Sequence, residues 1–118
     1  MSYDIDLIDP ITSKVLQLDS KHMMRGGTYA VGGTKDASLN ITYNYAEHFI
    51  KTLGENGIRT IYKMNACDSI PVLENAINML KDDVHDNYWK PTEGNAKNAL
   101  IQLMTLAKLR PDGVWTGD

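Results

Sequence analysis

The chain has three imidazoles (His22, His48 and His85), one thiol (Cys67), and a carboxylate suited to acid–base work close after two aromatics, Glu93 in "YWKPTEGN". These are its means for acid–base or nucleophilic chemistry, and their spacing is sparse. No two histidines stand three or four residues apart, so no pair shares a helical face. The run Asp82-Asp83-Val84-His85-Asp86 has the composition of a ligand set. A zinc site, however, needs three or four converging ligands at defined spacing, and charges at a helix end are ordinarily solvated. Cys67 precedes a helix start, where the dipole lowers a thiol pKa, but no Cys-His motif accompanies it. His48 has general-base chemistry available to it; the plainer reading is a part-buried ring satisfied by a neighbouring amide. Glu93 is also suited to stabilising a helix start. No catalytic set, metal or cofactor is expected.

Recognition chemistry is better represented. In "SLNITYNY" alternation puts Asn40, Thr42 and Asn44 on one face of a strand, because alternate residues share a side. Tyr62, Tyr88, Trp89 and Trp115 fall in connectors or near the end of the sequence rather than in helical stripes. With Arg25, Arg59 and Arg110 they supply rings, amides and guanidinium groups. A site for a nucleobase or another planar polar ligand is built from such groups, and so is a protein-binding hot spot. An exposed sheet face with tyrosines capping a small core is the alternative. "RGGTYAVGGT" offers backbone N–H groups for an anion beside Arg25. It matches neither the phosphate-binding loop nor the dinucleotide fingerprint, and turn glycines explain it as well.

These residues need a scaffold, and the bulk numbers describe one. The chain has 118 residues, 42% hydrophobic and 23% charged, with a net charge of −3. This is the size of one domain, residues 1–118, with enough chain to bury a core. The acidic balance argues against nonspecific nucleic-acid binding. A single cysteine excludes an internal disulfide. "MSYDIDLIDP" is acidic and alternating, unlike a signal peptide, and no apolar run approaches the ~20 residues of a membrane span. A cytoplasmic protein without membrane association is expected.

Period-2 patterning predicts strands at Tyr3–Leu7, Lys14–Leu18, Thr28–Val31 and Leu39–Tyr45, the first two as a hairpin and Gly32–Ala37 as a turn. Helical spacing follows. Ala46, Phe49, Ile50 and Leu53 form one short helix stopped at Gly54. A second begins at Asp68 or Ser69 with Pro71 in its first turn, and its face is Ile70, Leu73, Ala76, Ile77 and Leu80. A third is capped by Thr92 and runs to Arg110 before Pro111-Asp112-Gly113. Residues 58–64 read as strand or connector. Strands first and helices later indicate an α+β fold, a small and largely antiparallel sheet covered by about three helices.

Taken together, "MRGGTYAVGG", "LNITYNY" with His48-Phe49 close behind, "GIRTIY", "SIPVLENAI", "YWKPTEGNAK" and "RPDGVW" resemble a family of small proteins of bacteriophages, prophages and other mobile elements. The resemblance covers nearly the whole chain. It carries no assigned activity and therefore no catalytic residue. It implies an accessory gene product acting in the host-cell cytoplasm. The leading expectation is a non-enzymatic protein that binds a host protein or a small polar, nucleotide-like ligand through Arg25, Asn40, Thr42, Asn44, His48, Tyr62, Trp89, Glu93 and Arg110. One alternative is a small enzyme on a nucleotide or nucleic acid, using His48 or Glu93 with an arginine. Another is a virion or assembly component forming a homo-oligomer.

Overall fold

A computed structural model describes residues 1–24 and 32–118. The third expected strand, Thr28–Val31, and Arg25 lie outside the described residues. Strand β1 (Ser2–Ile8) is the centre of a three-stranded antiparallel sheet. It buries Tyr3, Ile5 and Leu7 and turns Asp4 and Asp6 away, as its alternation requires. On one side it pairs with a strand at Ser38–Thr42, with Tyr3 opposite Ile41 and Ile5 opposite Leu39. On the other it pairs with a strand at Val114–Gly117, with Leu7 opposite Trp115.

The remaining two strands form a ribbon of their own. They are β2 (Gln17–His22) and β3 (Thr34–Asp36), which makes Ser38–Thr42 β4 and Val114–Gly117 β5. The expected hairpin between the first two strands is reduced to one bridge, Ile8 opposite Val15, and the bonds from Asp9 N–H to Lys14 O and from Leu16 N–H to Leu7 O. The turn that ends β1 explains this. Asp9 accepts N–H bonds from Ile11 (2.7 Å) and Thr12 (3.0 Å), and Ser13 takes φ +60. The chain therefore leaves β1 at an angle, and β2 begins later than alternation suggests. Thr34–Asp36, expected as turn, is the short partner that completes the ribbon.

Three helices follow: α1 (Ala46–Leu53), α2 (Ala66–Asn78) and α3 (Glu93–Leu109). Helix α1 stops at Gly54, whose φ of +106 suits a residue without Cβ. Residues Gly57–Ile61 form a 3-10 turn, resolving the ambiguous stretch. Helix α2 starts at Ala66 with Asn65 ahead of it, so Asp68 and Ser69 are already helical and Pro71 is inside the helix. Ser69 is not a cap. Its hydroxyl donates to Ala66 O (2.7 Å) and accepts the indole N–H of Trp115 (2.7 Å). Helix α3 is capped by Thr92, which accepts from Asn95 N–H at 3.1 Å.

One hydrophobic cluster joins the layers: Tyr3, Ile5, Leu7, Leu39, Ile41 and Trp115 from the sheet, Phe49 from α1, Leu73 and Ile77 from α2, and Leu100, Leu103 and Leu106 from α3. Trp115, expected near a surface site, is wholly buried. The architecture is α+β. Among the described residues, no helix is long and apolar enough to cross a membrane.

Candidate functional site

The proposed polar row divides where β4 ends. Thr42 has extended dihedrals (φ −63, ψ 142), and its hydroxyl accepts the N–H of Asn44 at 3.2 Å. That bond curls Tyr43–Tyr45 into a 3-10 turn leading directly into α1. The expected strand Leu39–Tyr45 thus ends at Thr42, and Asn44 leaves the face it would share with Asn40. Thr42 itself is buried, with the Tyr88 hydroxyl against its N–H. Asn40 remains on the outer face of the sheet, where its amide donates to Ser2 Oγ (2.7 Å) and Asp4 Oδ1 (2.6 Å). The three groups do not form a common surface.

A different alignment replaces it. From the turn onward Asn44, His48 and Lys51 follow helical spacing and meet the connector between α2 and α3. The amide of Asn44 donates to Trp89 O (3.0 Å). His48 Nε2 lies 2.7 Å from Pro91 O, which fixes the proton on Nε2, since a carbonyl can only accept. Lys51 Nζ is 3.8 Å from Glu93 Oε1, with the lysine 62% exposed, so that pair contributes little. Tyr45 O–H donates to Tyr88 O, and Thr42 N–H reaches Tyr88 Oη at 3.4 Å. Four of the expected residues, Asn44, His48, Trp89 and Glu93, therefore stand on one seam with Thr42 buried at its end.

The connector running from Met79 to Thr92 has no helix or strand, yet it is held along its length. Its anchor is Asn95, which the sequence did not single out. This side chain is 6% exposed. Its oxygen accepts His85 N–H (3.0 Å), and its nitrogen donates to Asn87 O (3.1 Å) and Lys90 O (3.0 Å). Gly94 lets the connector approach, since a Cβ there would stand 2.5 Å from Val84 N. The acidic run is used one residue at a time: Asp82 pairs with Lys97 (2.6 Å), Asp83 accepts Gly94 N–H (3.0 Å), and His85 Nδ1 accepts Asn87 N–H (2.9 Å). Among the described residues no group of three His, Cys, Asp or Glu is placed to hold a metal ion. Trp89 stands out from this loop, 48% exposed, edge-on to Tyr88 with ring centroids 5.3 Å apart. Beside it is a shallow hollow of about 580 Å³ lined by Tyr43, Asn44, Ala46, Glu47, His48 and Pro91.

The remaining expected residues lie elsewhere. Tyr62 packs under Gly117, its hydroxyl buried without a hydrogen-bond partner. Burial pushes its pKa well above the ordinary tyrosine range, and the Asp118 carboxylate adds to the shift. Nearby, Arg59 lies 5.1 Å from the Tyr3 ring centroid and donates to Asp118 O at 3.0 Å. Arg110 forks onto Asp112 (3.0 and 2.7 Å) and donates to Gln17 O at 2.8 Å. This hydrogen-bonded pair raises the Arg110 pKa and lowers that of Asp112. Among the described residues, no arginine bonds to His48 or Glu93.

No protein-family model, curated protein or solved structure matches the chain. The functional reading therefore rests on the seam and its loop.

Proposed function

We propose that the chain is a non-enzymatic binding protein, an accessory product of phage or mobile-element type, that docks on a host protein through the loop carrying Trp89. The observation behind this reading is a half-exposed tryptophan on a loop pinned from both sides. Two packed helices need only a short link, and a long connector without secondary structure is commonly a binding element. Here the connector is held by Asn44, His48 and Asn95. A surface ordered in advance loses less entropy on association, and tryptophan is the residue type most enriched at interface hot spots.

The same geometry weighs against the enzyme alternative. His48 and Glu93 share the seam, but His48 is bound to a backbone carbonyl and Glu93 faces a lysine, and among the described residues no arginine bonds to either. The test uses wild type and Trp89→Ala, which removes the ring while leaving every loop anchor in place. Each is used to capture proteins from bacterial extract; the retained species is identified by mass spectrometry, purified and titrated calorimetrically. The expected result is one defined partner whose affinity falls by about 2 kcal/mol in the variant, with unchanged melting temperature. Equal binding by both proteins, or no specific partner for either, overturns the proposal.

A further inference from the structure

The shallow hollow beside Trp89 is lined from the 3-10 turn, the first turn of α1 and Pro91. Asn44 stands three residues before Glu47 and four before His48, so the three side chains share one side of the turn and helix. The atoms they leave unused are chiefly acceptors. Asn44 donates an N–H to Trp89 O, and among the described residues nothing bonds to its Oδ1. His48 gives its Nε2 proton to Pro91 O, so in the neutral ring Nδ1 carries a lone pair. Pro91 has no N–H.

Glu47 is the charged member of this lining. It is exposed and, among the described residues, joins no ion pair. Asp82, Asp83 and Glu93, by contrast, each meet a cation or an N–H. Lys51 is the i+4 neighbour that would ordinarily pair with Glu47, yet its Nζ is turned to Glu93 at 3.8 Å. A carboxylate in the first turn of a helix also suits the dipole. Here, however, the leading N–H groups are already taken, that of Asn44 by Thr42 Oγ1 and that of Ala46 by Tyr43 O. The result is an unpaired carboxylate flanked by an amide oxygen and an imidazole lone pair, with Tyr43 and Ala46 as the apolar part of the lining.

A free small molecule buries most of its surface in its pocket, which a shallow hollow does not allow. A single side chain offered by a seated partner fits better, and the lining calls for a cationic donor. Arginine has five N–H groups and no acceptor, and its planar fork meets a carboxylate with two parallel bonds. It is also, with tryptophan, among the residues enriched at interface hot spots. We infer that the protein docked on Trp89 places an arginine in this hollow, with its guanidinium forked onto Glu47, a further N–H to Asn44 Oδ1, and its stem against Tyr43 and Ala46. The assignment to the partner rests on the docking proposed above; the preference of the hollow for arginine does not, so the two can fail separately.

The test is an amide-resolved NMR titration of the full chain with N-acetylarginine amide and with N-acetylcitrulline amide, whose urea head keeps the shape without the charge. Shifts are expected at the Asn44 side-chain amide and at the backbone amides of Glu47 and His48, with arginine binding about fivefold more tightly than citrulline. Glu47→Gln breaks no ion pair of the fold and is expected to bring arginine down to the citrulline level; added salt is expected to act in the same direction. Equal responses to the two probes, an arginine response that survives Glu47→Gln, or shifts centred elsewhere overturns the inference. So does a captured partner that binds wild type and Glu47→Gln equally. No captured partner together with the expected arginine response overturns the docking and upholds the hollow.

Discussion

The phenol of Tyr62 is the residue at which this fold is least satisfied on its sheet side. Its hydroxyl is sealed under Gly117, where a Cβ would stand 2.4 Å from the ring, and no acceptor or donor reaches it. Burial raises the pKa of both Tyr62 and Tyr3. Each is harder to ionise in the folded chain than in the unfolded one. Stability is therefore full below the ordinary tyrosine value of about 10 and falls as pH rises beyond it, because the unfolded chain releases its protons first. Tyr62→Phe removes both the unmatched hydroxyl and one of the two ionisations. Urea unfolding is expected to show a gain of about 1 kcal/mol at neutral pH and a shallower decline on the alkaline side. A lower midpoint for the phenylalanine variant at neutral pH would show that the hydroxyl has a partner in solution.

At the scale of the element, the connector between α2 and α3 is anchored by Asn44 and His48 on one side and by Asn95 on the other. Asn95→Ala leaves the His85 N–H without its acceptor and strips one of two donors from each of Asn87 O and Lys90 O, which keep the N–H groups of Lys90 and Thr92. A loss of about 2 kcal/mol is expected, together with faster hydrogen exchange of amides 83–90 while the α2 and β1 amides stay protected. Exchange that accelerates equally everywhere would mean that the loop unfolds only with the whole chain. This element also marks how far the sequence could be read. The helical periods, the Thr92 cap and the Gly54 stop were legible because each depends on neighbours in the chain. Tyr3, Ile5 and Leu7 were legible because alternation marks a half-buried strand. Asn95 was not, since its three partners come from a segment with no period. The end of β4 was missed because Tyr43 and Tyr45 continue the alternation past the point where Thr42 redirects the backbone. Four of the expected residues do meet on the seam, brought together by α1 and the loop instead of by a strand face.

At the scale of the molecule, sheet and helices are joined by a polar bond inside an apolar core. The buried indole of Trp115 on β5 donates to the Ser69 hydroxyl on α2, which in turn donates a hydrogen bond to Ala66 O. Ser69→Ala leaves the indole N–H unmatched, and a cost of about 2 kcal/mol is expected from denaturant unfolding. A change near zero would mean that water replaces the hydroxyl. β5 has a further importance through its place in the order of strands. It closes one side of β1, yet it comes after all three helices, while β4 on the other side is far nearer in sequence. Until β5 arrives, the middle strand has a bare flank that would accept a strand from any passing copy. Asp4 and Asp6 answer that hazard: brought face to face with their twins on another molecule, four carboxylates would repel one another. The acids that alternate through β1 thus guard the sheet while it waits to be completed.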